Sequence, residues 1–311
     1  MVLALVRYLP KSVGVPFVKF GPLAAGLSAL LVIASITLTA TLGLNFGIDF
    51  RGGTLIEAKT LEGPADLSRV RGLVDGLGLG DVQVQEFGAP DEVLIRVEAQ
   101  DGEGEAAETA QQGAAQAVQT ALRQAYGAGI EIRRVEVVGP KVSGELVRAG
   151  GLAVVLALGL MLVYILFRFD WQFSLGAVVA LAHDVVLTLG VFALTRLEFN
   201  LPTLAAILTI VGYSMNDTVV VYDRVRENLR KYKRTPLREV IDGSLNDTLS
   251  RTILTSVTTL LALIALFVLG GAALQGFAFA MIWGVLVGTY SSIYVAAPFL
   301  LLTGLKRDGE A

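Results

Sequence analysis

Apolar residues come in long unbroken runs through most of this 311-residue chain and in regular alternation in one part of it. Residues 21–48 carry no charge. That run is far longer than the apolar core of about 7–15 residues in a cleaved leader, so it reads as an uncleaved membrane span. A second run, Ala149–Phe167, is bounded by Arg148 and Arg168, and a third extends from Trp171 to just before Arg196, interrupted by His183 and Asp184. Leu201–Tyr222 makes a fourth, with Asn216 and Asp217 inside it. Residues 252–305 contain no formal charge over 54 positions. At about 20 residues per crossing this is two helices, with Gly270, Gly271, Gln275 and Gly276 as the turn. Six crossings are predicted, with both termini on the same side.

Between the first and second spans the period changes to two. Gly53–Thr60, Asp81–Phe87, Glu92–Glu98 and Ile130–Val138 alternate like half-buried strands. Pro64–Leu77 reads as a helix with an early proline, an acidic first turn and closing glycines. Glu103–Tyr126, rich in Ala, Gln and Glu, reads as another. The order strand, helix, strand, strand, helix, strand predicts a ferredoxin-like α+β unit. The fold class expected is thus an α-helical polytopic membrane protein of six transmembrane helices, with an extracytoplasmic ferredoxin-like domain between helices 1 and 2.

Composition agrees with the pattern: 54% of residues are hydrophobic, only 17% are charged, and mean hydropathy is +0.64. Charge adds an orientation. Residues 45–140 hold 16 acidic against 8 basic side chains, whereas the remainder holds 12 against 17. The stretch 223–250 carries Arg224, Arg226, Arg230, Lys231, Lys233, Arg234 and Arg238, and Arg7, Lys11, Lys19, Lys306 and Arg307 flank the outermost spans. The positive-inside rule therefore places both termini and this basic loop in the cytoplasm, despite Lys141 and Arg148 on the other side. The expected organisation is a cytoplasmic segment 1–20, a first span 21–44, an extracytoplasmic domain 45–140, and helices 2–6 with the basic loop 223–250 and a short tail in 141–311. Acidic residues dilute the basic loop and no aromatic platform accompanies it, so nucleic-acid binding is not expected.

The chain has no cysteine and one histidine, which excludes disulfides, thiolate chemistry and zinc ribbons. No P-loop, GxSxG or HExxH occurs, no metal or organic cofactor is expected, and the chain is not read as an enzyme. Candidate chemistry sits in the spans, where an ionisable side chain costs roughly 2.5–3.5 kcal/mol. His183, Asp184 and Asp217 qualify, with Arg251 at the mouth of the fifth span. Thr209, Tyr213, Asn216 and Asp217 share one face of the fourth helix by spacing, as do Arg251, Thr255, Thr258 and Thr259 on the fifth. Two such stripes on consecutive antiparallel helices predict a hydrated seam inside the bundle. Asp217 beside Arg251 can either load and release a proton or form a permanent ion pair that only joins two helices. His183 and Asp184, adjacent and about 100° apart on a helix, are not expected to meet a single partner. His183 suits packing as well as a relay, and Gly284 with Gly288 suits close helix packing.

Longer stretches resemble a known family. Phe46-Gly47-Ile48-Asp49-Phe50-Arg51-Gly52-Gly53 is similar to the motif that opens the extracytoplasmic domain of the SecF family of bacterial protein-export subunits. Val138–Leu146 and Ala182-His183-Asp184 fit as well. The most specific similarity is Ile210–Arg224, followed by Ser244–Thr252, with Asp247 where the family often carries Gln. The resemblance implies membership of the resistance-nodulation-division superfamily, in which two six-span halves pair. SecD would supply the other half, and the pair would promote polypeptide export through a SecY-containing translocon in the bacterial cytoplasmic membrane. A proton or sodium gradient would drive it, and the preprotein and membrane lipid would be further partners. It implies ion coupling at Asp217 and Arg251; Tyr213, Asn216, Thr255, Thr258 and Thr259, grouped by helical spacing, are the supporting seam. Asp49, Arg51, Gly52 and Gly53 belong to the motif outside helix 1, while His183 and Asp184 remain second-rank. The competing readings are a gradient-driven half-transporter for small molecules or lipids and a purely structural subunit.

Overall fold

A computed structural model describes residues 14–100, 102 and 105–305. Arg7, Lys11, Lys306, Arg307 and the predicted helix start at Glu103 lie outside them. The described elements run α1 (Phe17–Leu42), β1 (Asn45–Phe46), α2 (Ile48–Arg51), β2 (Gly53–Thr60), α3 (Leu67–Asp75), β3 (Val82–Phe87), β4 (Ala89–Val97), α4 (Glu105–Tyr126) and β5 (Ile130–Val138). They continue with α5 (Pro140–Arg168), α6 (Trp171–Thr195), β6 (Glu198–Phe199), α7 (Leu201–Lys231), α8 (Leu237–Leu269), α9 (Ala272–Ser291) and α10 (Ala297–Leu302). Six helical stretches are long and apolar enough to cross a membrane: α1, α5, α6, α7, α8, and α9 joined to α10.

Helices α6, α7 and α9 form the buried centre, and α1, α5 and α8 stand outside it with Leu30, Ile33, Val155, Leu160, Leu261 and Val268 exposed. Small residues let the central backbones approach. A side chain at Gly284 would strike Ile210, and one at Gly288 would come within 2.9 Å of Ser214, so the GxxxG pair seats α9 on α7. Gly190 of α6 meets Ser35 of α1 in the same way. The turn between α8 and α9 is Gly270-Gly271, with Gly271 at φ 74; Gln275 and Gly276 already belong to α9. Stretch 223–250 is helical for most of its length, because α7 and α8 extend past the apolar core and leave only residues 232–236 between them.

Pro298 has no N–H to donate and its ring crowds the carbonyl four residues back. The helix adapts by widening into a π turn at Ser292–Ala296 just before it. The Ala296 carbonyl accepts a hydrogen bond from Tyr222 Oη at 3.1 Å.

The domain between α1 and α5 has the sheet order β3-β4-β2-β5, antiparallel throughout, which is the ferredoxin-like arrangement. Ile56, Ala58, Val93, Ile95 and Val97 from the sheet pack against Val70 and Val74 of α3 and Val118 and Leu122 of α4. Each fully buried aliphatic side chain contributes about 1.5–3 kcal/mol. The buried amide of Gln111 is fully used, donating to Thr54 Oγ1 at 2.7 Å and accepting from the Gln100 N–H at 2.7 Å. Central strand β2 is covered on both faces rather than one, because Leu55 and Leu94 pack with Ile48 of α2 on the side away from α3 and α4.

Candidate functional site

Four elements converge where the domain meets the bundle. Asn45 and Phe46 pair in parallel with Glu198 and Phe199, and the Gly47 N–H donates to the Phe199 carbonyl at 2.9 Å. Asp49 Oδ2 accepts the Leu201 N–H at 2.8 Å, placing a carboxylate at the positive end of α7. Gly52 and Gly53 then turn the chain from α2 into β2 at φ 76 and 120. A side chain at Gly53 would stand 2.5 Å from the Val97 carbonyl oxygen, so only glycine fits. Arg51 points outward and is exposed. Arg196, left-handed at φ 58, caps the other helix end by donating to the Leu42 and Gly43 carbonyls at 2.9 and 2.8 Å.

Arg96 of β4 pairs with Glu198 at 2.5 Å across this junction. Burial pushes the Glu198 carboxyl above the ordinary carboxylate range; Arg96 pulls it back, and Asp49 and Glu136 add to the rise. A carboxyl raised in the folded state favours the fold below its ordinary range and loses that contribution as pH climbs through the raised value. The Tm of Glu198→Gln should therefore gain on that of the parent as pH goes from about 4 to about 7. A Tm difference independent of pH would contradict this.

Inside the bundle two clusters are built around carboxylates, at Asp184 and at Asp217. Asp184 is 1% exposed, and its Oδ2 accepts from Ser214 Oγ of α7 at 2.6 Å and Ser291 Oγ of α9 at 2.8 Å. Its Oδ1 lies 3.0 Å from His183 Nδ1. The two neighbours on α6 thus bend toward each other, because a carboxylate and an imidazole both reach past the helix backbone, while Asp184 alone reaches Ser214 and Ser291. Asp184 is saturated, while His183 Nε2 is buried without a hydrogen bond among the described residues.

Asp217 is different. It is 9% exposed and accepts one hydrogen bond, from Thr252 Oγ1 of α8 at 2.5 Å. Its second oxygen is buried and unpartnered among the described residues, and the nearby Ser292 hydroxyl pairs with Thr218 at 2.9 Å. Arg251 acts on Asp217 through space, yet no ion pair joins them among the described residues. The permanent ion pair weighed from the sequence is therefore not formed in this chain.

The predicted seam needs correction. Arg251 and Thr258 are exposed and Thr255 and Thr259 half-buried; Asn216 is also exposed and Tyr213 half-buried with its hydroxyl buried and unpaired among the described residues. These residues do not line an internal channel but lie largely toward the outside of the bundle. The inward polar positions on α8 are one residue on: Thr252, bonded to Asp217, and Ser256, whose hydroxyl is 2.8 Å from that of Thr289. Asp247, the departure noted in the sequence, accepts from Asn228 at 3.2 Å beyond the apolar core and leaves the Asp217 cluster untouched.

Residues 117–306 match the family described as protein export membrane protein SecD/SecF, C-terminal, and residues 37–60 match the SecD/SecF GG motif. The chain belongs to the SecD/SecF family. Among its relatives, the protein translocase subunit SecF of Cereibacter sphaeroides is 47% identical over 97% of this chain and 94% of its own length. SecF of Magnetococcus marinus is 53% identical over 88% and 87%. Protein translocase subunit SecDF of Brucella abortus is 44% identical over 98% of this chain but only 39% of its own length. The crystal structure of SecDF, a translocon-associated membrane protein from Thermus thermophilus, superposes with a TM-score of 0.79 at 34% identity. That match takes in 92% of this chain and 38% of the SecDF chain. In SecD/SecF terms, the GG motif is the Gly52-Gly53 turn that sets β2 against the membrane end of the domain.

Proposed function

We propose that this chain is an accessory subunit of the Sec protein translocase that works with SecD and draws on an ion gradient to promote polypeptide export. In this reading it sits in the bacterial cytoplasmic membrane with both termini cytoplasmic and the α+β domain outside. The observation that carries the mechanism is the Asp217 carboxylate, buried in a span with one oxygen bonded to Thr252 and the other without a hydrogen bond among the described residues. A proton can enter or leave that second oxygen without dismantling the bundle, whereas saturated Asp184 offers no such vacancy. Titration at Asp217 changes its bond to Thr252 and so the packing of α7 on α8. Movement of α7 reaches the domain through Asp49, which holds the first turn of α7, and through the Arg96–Glu198 pair. The proton is the proposed ion, and sodium is the alternative that the same gradient assays separate.

The outward polar face of α7 and α8 supports a second half. An arginine facing bare hydrocarbon costs roughly 2.5–3.5 kcal/mol on insertion scales, so Arg251, Asn216 and Thr258 call for a protein partner. SecD is that partner in this reading, since the Brucella and Thermus proteins carry the names of both halves in one chain. A tagged chain should retrieve SecD from detergent-solubilised membranes. Thr258→Trp should lower recovery about tenfold, the equivalent of 1.4 kcal/mol, without changing the Tm of the isolated chain. Thr258→Val should do little, because that hydroxyl already donates to the Leu254 backbone carbonyl in its own helix at 2.8 Å. Undiminished recovery with Thr258→Trp would move the partner to another face, and no SecD in the wild-type eluate would remove the assembly.

A further inference from the structure

A groove of about 620 Å³ runs between α1, α6 and the stretch from the π turn to α10, with Arg238 of α8 at one end. Its origin is sequence: Gly21, Ala25 and Ala29, one turn apart on α1, are too small to fill the space against Ala182 of α6 and Phe299 and Leu302 of α10. From Val18 to Val32 it follows α1 for about 21 Å, roughly half the thickness of a bilayer with its headgroups.

The polar side chains along it are few. Ser28 shares its hydrogen bond with Tyr290 at 2.9 Å, His183 closes the deep part, Tyr294 flanks it, and Arg238 stands at the end where α8 begins. Arg238 is exposed and has neither an ion pair nor a hydrogen bond among the described residues. The carboxylates nearest Arg238 along α8 are Glu239, exposed beside it, and Asp242, one turn on. Asp242 is engaged, accepting the Val18 N–H at 2.8 Å and so fixing α1 next to the mouth.

We propose that this groove binds one anionic phospholipid from the leaflet at the α7–α8 loop end, with an acyl chain along Ala25 and Ala29 and the phosphate at Arg238. Apolar length alone would accept any lipid; the unpaired Arg238 at one end selects a negative headgroup and fixes its depth. Such a lipid would brace α1 against α6 and α10.

The test uses the full chain purified in detergent, offered equimolar phosphatidylglycerol and phosphatidylcholine and examined by native mass spectrometry. The wild type should retain phosphatidylglycerol about fivefold over phosphatidylcholine, the ratio given by about 1 kcal/mol for one basic side chain at the membrane surface. Arg238→Gln should abolish the preference while keeping lipid bound. Ala25→Trp, at an exposed position that tolerates size, should fill the groove and lose both adducts. Equal retention of the two lipids by the wild type, a preference that survives Arg238→Gln, or an adduct that survives Ala25→Trp would each overturn the proposal.

Discussion

Asp217→Asn is expected to leave the protein inserted and recovered with SecD while export loses its entire response to an imposed gradient. Asparagine keeps the size, and its carbonyl can still accept from Thr252 Oγ1, so the α7–α8 contact persists. What disappears is the ability to change charge at the oxygen that has no partner. Asp217 lies 16 residues into α7, about 24 Å from its domain end at 1.5 Å per residue. An ion reaching it from that side has crossed most of the membrane field, and one charge moved through 100 mV yields about 2.3 kcal/mol. That is enough to shift a balanced two-state helix contact roughly fiftyfold and too little for one event to extract a folded polypeptide, so repeated cycles are required. The measurement is export of a preprotein into inverted membrane vesicles with and without the gradient. Wild-type stimulation by the Asp217→Asn protein would remove the carrier role.

Asp184→Leu should have the largest effect on stability. The carboxylate ties α6 to α7 through Ser214 and to α9 through Ser291, at the centre of the bundle. Leucine has similar bulk but leaves two buried hydroxyls and His183 Nδ1 without an acceptor. At about 1–3 kcal/mol for each orphaned group, the loss is about 3 kcal/mol even after the serines turn back to their own helix carbonyls. Asp184→Asn should be much milder. Its carbonyl can accept from both serines, and its amide can donate to His183 once the imidazole proton moves to Nε2. Thermal unfolding of the detergent-solubilised variants checks both. A Leu variant as stable as the parent would show the hydroxyl cluster to be dispensable, and an Asn variant as damaged as Leu would point to the charge.

Much of this arrangement was legible from pattern. Runs such as 21–48 and 252–305 exceed anything a soluble core needs, and the alternation in Gly53–Thr60 and Ile130–Val138 gives β2 and β5 at the same boundaries. Charge misled in stretch 223–250, where α7 and α8 continue as helices beyond their apolar parts; helical hydrogen bonds do not require apolar side chains, and hydropathy is blind to them. Register was the harder problem. Arg251, Thr255 and Thr258 fit a helical face, but so do Thr252 and Ser256 one residue on, and spacing alone cannot tell which stripe turns inward. The contacts decide it, because Thr252 meets Asp217 and Ser256 meets Thr289. The serines that saturate Asp184 carried no signal beyond their small size, since such residues mark close helix packing as often as chemistry. Pro298 did carry one: a proline near the end of an apolar span foretells a local break, and the π turn beside Tyr222 is that break.

The central claim is that Asp217 passes a proton, and proton uptake tests it most directly. Vesicles reconstituted with this chain and SecD, loaded with a pH-sensitive dye and given an imposed gradient, should acidify faster than protein-free vesicles in the presence of an exporting polypeptide. With Asp217→Asn the rate should fall to that of protein-free vesicles, whereas an unchanged rate in that variant would contradict the account.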